Sequence, residues 1–185
     1  GEKFHLPVVS QNYGTVPDSA WKAKKFETNR RVVERPDWTS SDTLNAAIGL
    51  LQRAQLPTED LTEKLLESFF VAGDPSAPLG MVGLDVSPPH ALLRSLAVDE
   101  NARRHGVGAQ LLAHAEQHAR SRGVRSVYLL TTTAEPFFAA RGYVRVDREQ
   151  APAFIRSSAE ISALCPASAA FMLKRLVGRC SEFRG

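Results

Sequence analysis

Cysteine is scarce in this sequence, in which Cys165 and Cys180 are the only two among 185 residues. So small a number implies no disulfide framework and favours a reducing compartment, so we expect the protein in the cytoplasm. Apolar runs long enough to span a membrane are lacking, as is the core of a signal peptide. Strong charge is lacking too, since the formal net charge is +3. That value suits an anionic small molecule and is too weak to indicate nucleic acid as a partner.

The residue pattern divides the chain into three parts. A length of 185 residues and a hydrophobic content of 43% suit one globular domain with a core of its own. Residues 1–29 show no periodicity and mix proline, glycine, asparagine and lysine, which predicts an irregular extension. The patterned domain covers 30–177, and 178–185 form a C-terminal tail.

Hydrophobic periodicity predicts a short strand and two helices at the start of the domain. Arg31–Glu34 is a strand candidate that Pro36 ends. After the capping residue Ser40, a helix is predicted because four apolar residues recur at i, i+3, i+4 and i+7. These residues are Leu44, Ala47, Ile48 and Leu51. A second short helix is predicted from Leu61 to Glu67.

Three apolar runs separated by short turns follow, and they predict an antiparallel meander. The runs are Phe69–Ala72, Leu79–Val86 and Ala91–Val98. The third run leads through a basic turn into an amphipathic helix that begins at about Val107, and then into a buried-type strand at 125–131. Strand, helix and strand without interruption form a βαβ unit, so we expect the strands 91–98 and 125–131 to be parallel.

The C-terminal part of the domain is predicted to add two helices and two strands. A short helix is expected over Ala134–Arg141, since proline is tolerated in a first turn, and a strand over Tyr143–Val146. A short helix and loop are expected over 152–165, and a last strand over Ala169–Leu176. The predicted fold is therefore α/β, with a mixed sheet flanked by helices.

The basic turn Arg103-Arg104-His105-Gly106-Val107-Gly108 is the most informative motif of the chain. Its glycines let a ligand approach backbone N–H groups, and the following helix adds positive potential at its N-terminus. The two arginines offer charge-assisted hydrogen bonds to a phosphate. A P-loop would need Gly-Lys-Ser/Thr here, and a dinucleotide fingerprint would need a glycine where Leu111 stands. We therefore predict a phosphate-bearing ligand of another kind.

The arrangement Arg103-x-x-Gly106-x-Gly108 after a strand resembles the pyrophosphate-binding signature of the GNAT superfamily of N-acetyltransferases. The segment Ala134–Tyr143 looks like the second cofactor-side motif of that superfamily. The resemblance covers residues 30–177. It implies the acyl-CoA N-acyltransferase fold, in which two parallel strands of a mixed central sheet splay apart between flanking helices. It also implies acetyl-CoA as co-substrate. His114 and His118, with Glu116 between them, do not have the spacing of a zincin site, so no metal is assigned.

Four further segments resemble the N-acetyltransferases that are associated with arsenic-resistance operons. They are Leu56–Leu61, Leu92–Val98, Leu129–Glu135 and Leu164–Ser168. This narrower resemblance implies a detoxification role, in which the primary amine of a small amino-acid-like molecule of the arsinothricin type is acetylated.

The resemblance also implies where acetyl-CoA binds. The co-substrate is expected in the gap between the strands 91–98 and 125–131, with pantetheine along the first strand and pyrophosphate on the amides of 104–109. The residues so assigned to the cofactor are Leu96, Ala97, Val98, Arg103, Arg104, His105, Gly106, Val107, Gly108, Ala109 and Phe138.

The implied reaction is direct attack of a neutral amine on the thioester, which needs an acceptor for the amine proton, a donor for the thioester oxygen and a proton for the departing thiolate. The tyrosine that usually supplies this last proton is replaced here by Phe138. Tyr128 is one substitute, and a water held by Thr131, Thr132 or Thr133 is another. A coenzyme A thiolate is also able to leave unaided.

Arg94 is a charge within an apolar strand, and a buried guanidinium without a partner is very costly. Arg94 either pairs structurally with a carboxylate or binds a substrate oxyanion in the cleft. Asp85, on the neighbouring strand, is a natural partner for Arg94 or a base for the amine. The candidate catalytic residues are Asp85, Arg94, Thr132 and Tyr128. The candidate substrate contacts are Arg94, Ser95, Thr132, Thr133, Arg156 and Glu160.

Two other functions stay open at this point. A CoA-binding sensor with little turnover is suggested by Phe138 at the tyrosine position. A protein-lysine acetyltransferase would need an acidic groove for a basic tail, and the sequence offers no obvious acidic run to form one. We expect a small-molecule amine as the partner, with neither nucleic acid nor membrane, and homodimer formation is left open.

Overall fold

A mixed sheet of seven strands organises the part of the chain that the structure, a computed structural model, describes: residues 31–34, 36–38, 40–59, 61–158 and 168–176. The strands are β1 Val32–Glu34, β2 Phe69–Asp74, β3 Ala77–Ser87, β4 His90–Val98, β5 Ser126–Thr131, β6 Val144–Arg145 and β7 Ala170–Arg175. They lie side by side in the order β1-β2-β3-β4-β5-β7-β6. The predicted extension 1–29 and tail 178–185 lie outside the described residues.

The helices in the described ranges occur where the periodicity predicts them, and several are shorter than predicted. They are α1 Ser41–Arg53, α2 Glu63–Leu66, α3 Val107–Ser121, α4 Glu135–Ala139 and α5 Ala153–Arg156, with single 3-10 turns at Glu100–Ala102 and Arg148–Gln150. The loop predicted to follow α5 falls mostly outside the described residues. None of the helices described has both the length and the apolar character needed to cross a membrane.

The predicted topology of the central strands is confirmed. Strands β2, β3 and β4 form the antiparallel meander. Strand β4 pairs in parallel with β5, and α3 connects the two in the chain. The position of the last strand was not predicted. Strand β7 inserts between β5 and β6 and is antiparallel to both, so the sheet is mixed.

Helices cover both faces of the sheet because side chains alternate along each strand. Leu111 and Leu112 of α3 pack on one face, against a cluster that includes Val82 and Leu93. Leu50 and Leu51 of α1 pack on the opposite face with Phe69, Met81 and Ala97. A smaller cluster on that second face surrounds Ile155 of α5.

The pairing of β4 changes midway along the strand, and this change shapes the site. Gly83 of β3 pairs with Arg94, whereas Met81, two residues away, pairs with Ala97, so β4 carries one extra residue. Ser95 lies in this β-bulge with φ +53, a left-handed conformation that is uncommon for serine. The ladder between β4 and β5 ends at Leu93, just before the bulge. From there on the two parallel strands separate.

Candidate functional site

The separation of β4 and β5 opens a cleft of about 830 Å³. Its walls come from the ends of the two strands, the turn after β4, the first turn of α3, helix α4 and the loop after α1. Along Arg94–Val98 the edge of β4 that faces β5 has no ladder partner in the described part of the sheet. Backbone N–H and C=O groups are obligatory hydrogen-bonding groups, so this edge is prepared to pair with an amide-bearing ligand.

The basic turn forms one end of the cleft. Arg104 has φ +65 and Gly106 has φ +81, and these two left-handed residues lead the chain into α3 at Val107. A helix start has N–H groups without intrahelical partners and carries positive potential. This turn is therefore built to receive an anion.

Ten of the eleven residues assigned to the cofactor line this cleft: Leu96, Ala97, Val98, Arg103, Arg104, Gly106, Val107, Gly108, Ala109 and Phe138. The exception is His105, whose Nδ1 lies 2.8 Å from the carbonyl oxygen of Arg103. The imidazole thus contacts the turn's own backbone, and the contact of His105 with the cofactor through its backbone amide stays a prediction.

The charge of the cleft is positive. Four arginines line it, Arg94, Arg103, Arg104 and Arg141, and no aspartate or glutamate is among the described lining residues. Arg103 is held in place by the carbonyl oxygen of Val98, 3.4 Å from its Nε, and by the exposed carboxylate of Glu100 at 3.7 Å. Such a lining fits a polyanion and disfavours a strongly cationic ligand.

Arg94 lies in the cleft wall and beside a carboxylate at the same time. Its side chain is 5% exposed, and its Nη1 lies 3.9 Å from Oδ2 of Asp85, whose side chain is 22% exposed. The hydroxyl of Ser68 donates a hydrogen bond of 3.3 Å to Oδ1 of Asp85. The structure thus shows the pair considered in the sequence, but Asp85 itself is not among the residues that line the cleft.

The three threonines at the carboxyl end of β5, Thr131, Thr132 and Thr133, have different roles. Oγ1 of Thr131 accepts a hydrogen bond of 2.9 Å from the backbone N–H of Ala134, which caps the turn before α4. Thr132 and Thr133 are exposed and line the cleft, as does Ser95 at the bulge. Their hydroxyl groups are therefore able to contact a ligand or a water near the strand ends.

Tyr128 does not lie where the sequence-based role required it. It stacks on Phe171 with ring centroids 5.5 Å apart and contacts His90 edge-to-face at 5.7 Å. Strand β5 carries Tyr128 three residues before its carboxyl end, in the part still paired with β4, and Tyr128 does not line the cleft. Burial raises the pKa of this phenol. The structure thus does not bring Tyr128 together with the cleft residues, a correction to its predicted catalytic position.

Two of the predicted substrate contacts lie apart from the cleft lining. Arg156 is exposed at the end of α5 and does not line the cleft. Glu160 lies outside the described residues.

The structure adds lining residues that the sequence reasoning missed. Helix α4 contributes Phe137 as well as the predicted Phe138, the turn after α4 contributes Arg141, and the loop after α1 contributes Gln55 and Leu56. The signal that could have found this pair is an aromatic residue followed four positions later by arginine across the end of a short helix, a spacing that brings the two side chains into contact.

Phe138 forms the apolar part of the same wall. It is buried against Tyr143, with ring centroids 5.6 Å apart, and against Phe137 at 5.1 Å. No hydroxyl occupies this position, so the residue contributes packing rather than proton transfer.

The lining fits coenzyme A as a bound group. An anion-binding turn, a β4 edge with open backbone groups and a positive cleft correspond to its phosphates and to the amides of its pantetheine arm. The apolar share of the wall, with Leu96, Leu129 and Phe137, suits the methylene and methyl groups of that arm.

Comparison with known proteins places this geometry in a family. The model of the acetyltransferase (GNAT) family matches residues 36–145. No curated protein matches the sequence significantly.

Solved structures share the fold at low sequence identity. N-acetylglutamate synthase from Neisseria gonorrhoeae, complexed with coenzyme A and N-acetyl-glutamate, has a TM-score of 0.67 at 20% identity, over 80% of this chain and 35% of that chain. An aminoglycoside 6'-N-acetyltransferase complexed with coenzyme A has a TM-score of 0.61 at 15% identity, over 80% and 98%. A GNAT acetyltransferase from Staphylococcus aureus Mu50 has 0.60 at 16%, over 80% and 99%. The chain thus spans about a third of the synthase.

Proposed function

Because this chain belongs to the acetyltransferase (GNAT) family, we propose that it transfers acetyl from acetyl-CoA to the primary amine of a small amino-acid-like molecule. The observation that carries the proposal is the end of the β4–β5 ladder at Leu93, where the strands separate into a cleft with the anion-binding turn at one end. Acetyl-CoA supplies the acetyl group as a thioester.

The chain's own residues hold the two halves of the co-substrate in different ways. The amides of 104–109 and the guanidinium groups of Arg103 and Arg104 bind the pyrophosphate. The open edge of β4 at Leu96–Val98 pairs with the amides of the pantetheine arm, in the manner of an added strand. This pairing directs the thioester toward the bulge at Ser95.

The acceptor is proposed to carry a carboxylate or another oxyanion. Arg94 lines the cleft and its guanidinium is held beside Asp85, so an oxyanion of the acceptor that reaches it gains a charge-assisted bond at little ordering cost. The scarcity of carboxylates in the described lining disfavours polyamines and lysine-rich tails as acceptors. An arsinothricin-type amino acid carries an oxyanion and is not polycationic, so it fits both arguments. The N-acetyl-glutamate bound by the Neisseria synthase supports the amino-acid class.

The transfer forms a bond from the amine nitrogen to the acetyl carbon and breaks the bond from that carbon to sulfur. Thr132 and Thr133 are proposed to hold a water that accepts the proton of the attacking amine. Asp85 contributes negative charge beside Arg94 and lies behind the cleft wall. The thiolate leaves without a tyrosine, because the residue in that position is Phe138.

Phe138 also favours a second candidate, a sensor that binds coenzyme A and turns over little. The two candidates share the same cleft and differ only in chemistry. A sensor would bind coenzyme A tightly and transfer acetyl no faster than the uncatalysed reaction.

The test is release of free thiol from acetyl-CoA, followed with a thiol reagent in the presence of single amines. The panel contains arsinothricin, phosphinothricin, glutamate, spermidine and a lysine-rich peptide. Release with the oxyanion-bearing amino acids and not with spermidine or the peptide supports the proposal. Release with none of them, together with tight binding of coenzyme A, favours the sensor.

A further inference from the structure

The side chain of Arg141 is fixed against the wall of the cleft by two contacts with Phe137. Its guanidinium carbon lies 3.7 Å above the centroid of the Phe137 ring. Its Nη1 donates a hydrogen bond of 2.7 Å to the backbone carbonyl oxygen of Phe137. One contact uses the face of the guanidinium and the other uses one N–H of five, so the remaining donors are held in a defined plane.

Phe137 in turn abuts the first turn of α3. A Cβ placed on Gly108 would lie 3.5 Å from Cζ of the Phe137 ring and 3.7 Å from its Cε2. The rim of the ring thus lies about one methyl group away from Gly108 in the first turn of α3, while its face carries Arg141. The Arg141 cation is therefore presented by the turn that follows α4, on a different segment of the chain from Arg103 and Arg104.

Resting on the proposed function, we propose that Arg141 binds the 3′-phosphate of coenzyme A and that Phe137 is its positioning residue. The pyrophosphate already has the amides of the turn and two arginines of its own. The other phosphate of coenzyme A is the one on the ribose, and it is a terminal monoester with up to two negative charges. A stacked, pre-oriented guanidinium is the group best suited to such an anion.

Binding of coenzyme A and of 3′-dephospho-coenzyme A, measured by calorimetry, tests this assignment without reference to catalysis. The unmodified protein is expected to bind coenzyme A roughly tenfold or more tightly than the dephospho form, as charge-assisted hydrogen bonds require. Arg141→Ala should remove this preference by weakening coenzyme A alone. Phe137→Leu should shrink the preference, and Arg141→Lys should retain only part of it, because lysine keeps the charge and loses the planar stack.

Arg145→Ala is the matched control, since it also removes one positive charge close to α4. Arg145 does not line the cleft, and its guanidinium lies beside Glu135 instead. This variant should leave both dissociation constants unchanged. Equal weakening of both ligands by Arg141→Ala would overturn the assignment and place Arg141 on the pyrophosphate. Equal binding of both ligands to the unmodified protein would overturn it while leaving the proposed function intact. Failure to bind either ligand would overturn both.

Discussion

Gly83 and Arg94 are direct partners in the ladder between β3 and β4, and a Cβ on Gly83 would lie 2.9 Å from Cγ of Arg94. The same Cβ would lie 2.7 Å from Cε2 and Cζ of the Phe69 ring. The stem of the buried arginine and the Phe69 ring, from the two strands that flank β3, therefore both occupy the space that a side chain at this position would need. The space at Gly83 sets where the guanidinium can lie in the cleft wall.

Gly83→Ala is expected to destabilise the protein and to impair the acceptor side of the site. The added methyl group overpacks a position where neither Phe69 nor the stem of Arg94 has room to yield, which costs about 1–3 kcal/mol. A displaced Arg94 should raise the KM for an amino-acid acceptor while the dissociation constant of coenzyme A stays unchanged. Urea denaturation and steady-state kinetics measure the two effects.

Gly49→Ala serves as the control for that substitution. Gly49 lies within α1, and the nearest atom to its added Cβ is the end of the flexible Arg53 side chain, at 3.3 Å. Alanine is the better helix former, so this variant should gain up to about 1 kcal/mol and keep its kinetics. If Gly83→Ala were as well tolerated as Gly49→Ala, the steric account of Arg94 would be wrong.

The two members of the Asp85–Arg94 pair should respond unequally to removal. Asp85→Asn leaves a guanidinium that is 5% exposed without the negative charge now 3.9 Å away, and we expect a loss of about 3 kcal/mol. Arg94→Met should cost less than about 1 kcal/mol, because an apolar side chain replaces the buried charge and Asp85 keeps partial access to water. Urea denaturation of both variants gives the comparison.

The double variant checks that these losses come from one interaction. In the Arg94→Met background, Asp85→Asn should cost little, since the charge that it would leave behind is already gone. A cost of Asp85→Asn that is the same in both backgrounds would show that the two side chains act independently.

Gly106→Ala should weaken coenzyme A binding as well as folding. Gly106 has φ +81, so an alanine there costs about 1 kcal/mol and shifts the amides of the anion-binding turn. The matched control is Gly123→Ala, because Gly123 has φ +79 and likewise has nothing within 4 Å of its added Cβ, yet lies at the other end of α3. The two variants should unfold alike, and calorimetry should find weaker binding of coenzyme A in Gly106→Ala alone.

Local signals made the basic turn and helix α3 predictable from the sequence. The pairing of strands across the sheet was not predictable in this way. Gly106 and Gly123 mark the two ends of α3 because each takes a left-handed conformation that other residues avoid. The insertion of β7 between β5 and β6 depends on pairing between distant segments, which periodicity does not encode. The catalytic position predicted for Tyr128 was wrong for a related reason. Alternation of side chains shows which residues of a strand share a face, but it does not show where along the strand the cleft opens.

The buried phenol of Tyr143 predicts a specific loss of stability at high pH. Burial and the negative charge of Glu116 raise the pKa of Tyr143 well above its usual value near 10. Above pH 10 the unfolded chain therefore releases a proton that the folded protein retains, and the free energy of unfolding falls as pH rises. The contribution is fully present below pH 10 and declines above it by up to about 1.4 kcal/mol per pH unit.

Tyr143→Phe removes this titration while it keeps the ring that packs against Phe138. The free energy of unfolding from urea denaturation at pH 9, 10 and 11 should fall less steeply for the variant than for the unmodified protein. Groups other than Tyr143 that titrate in this range are present in both proteins, so their contributions largely cancel in the difference. Parallel pH dependences would contradict a raised pKa at Tyr143. A difference that opens only above pH 10 would identify this buried phenol as its source.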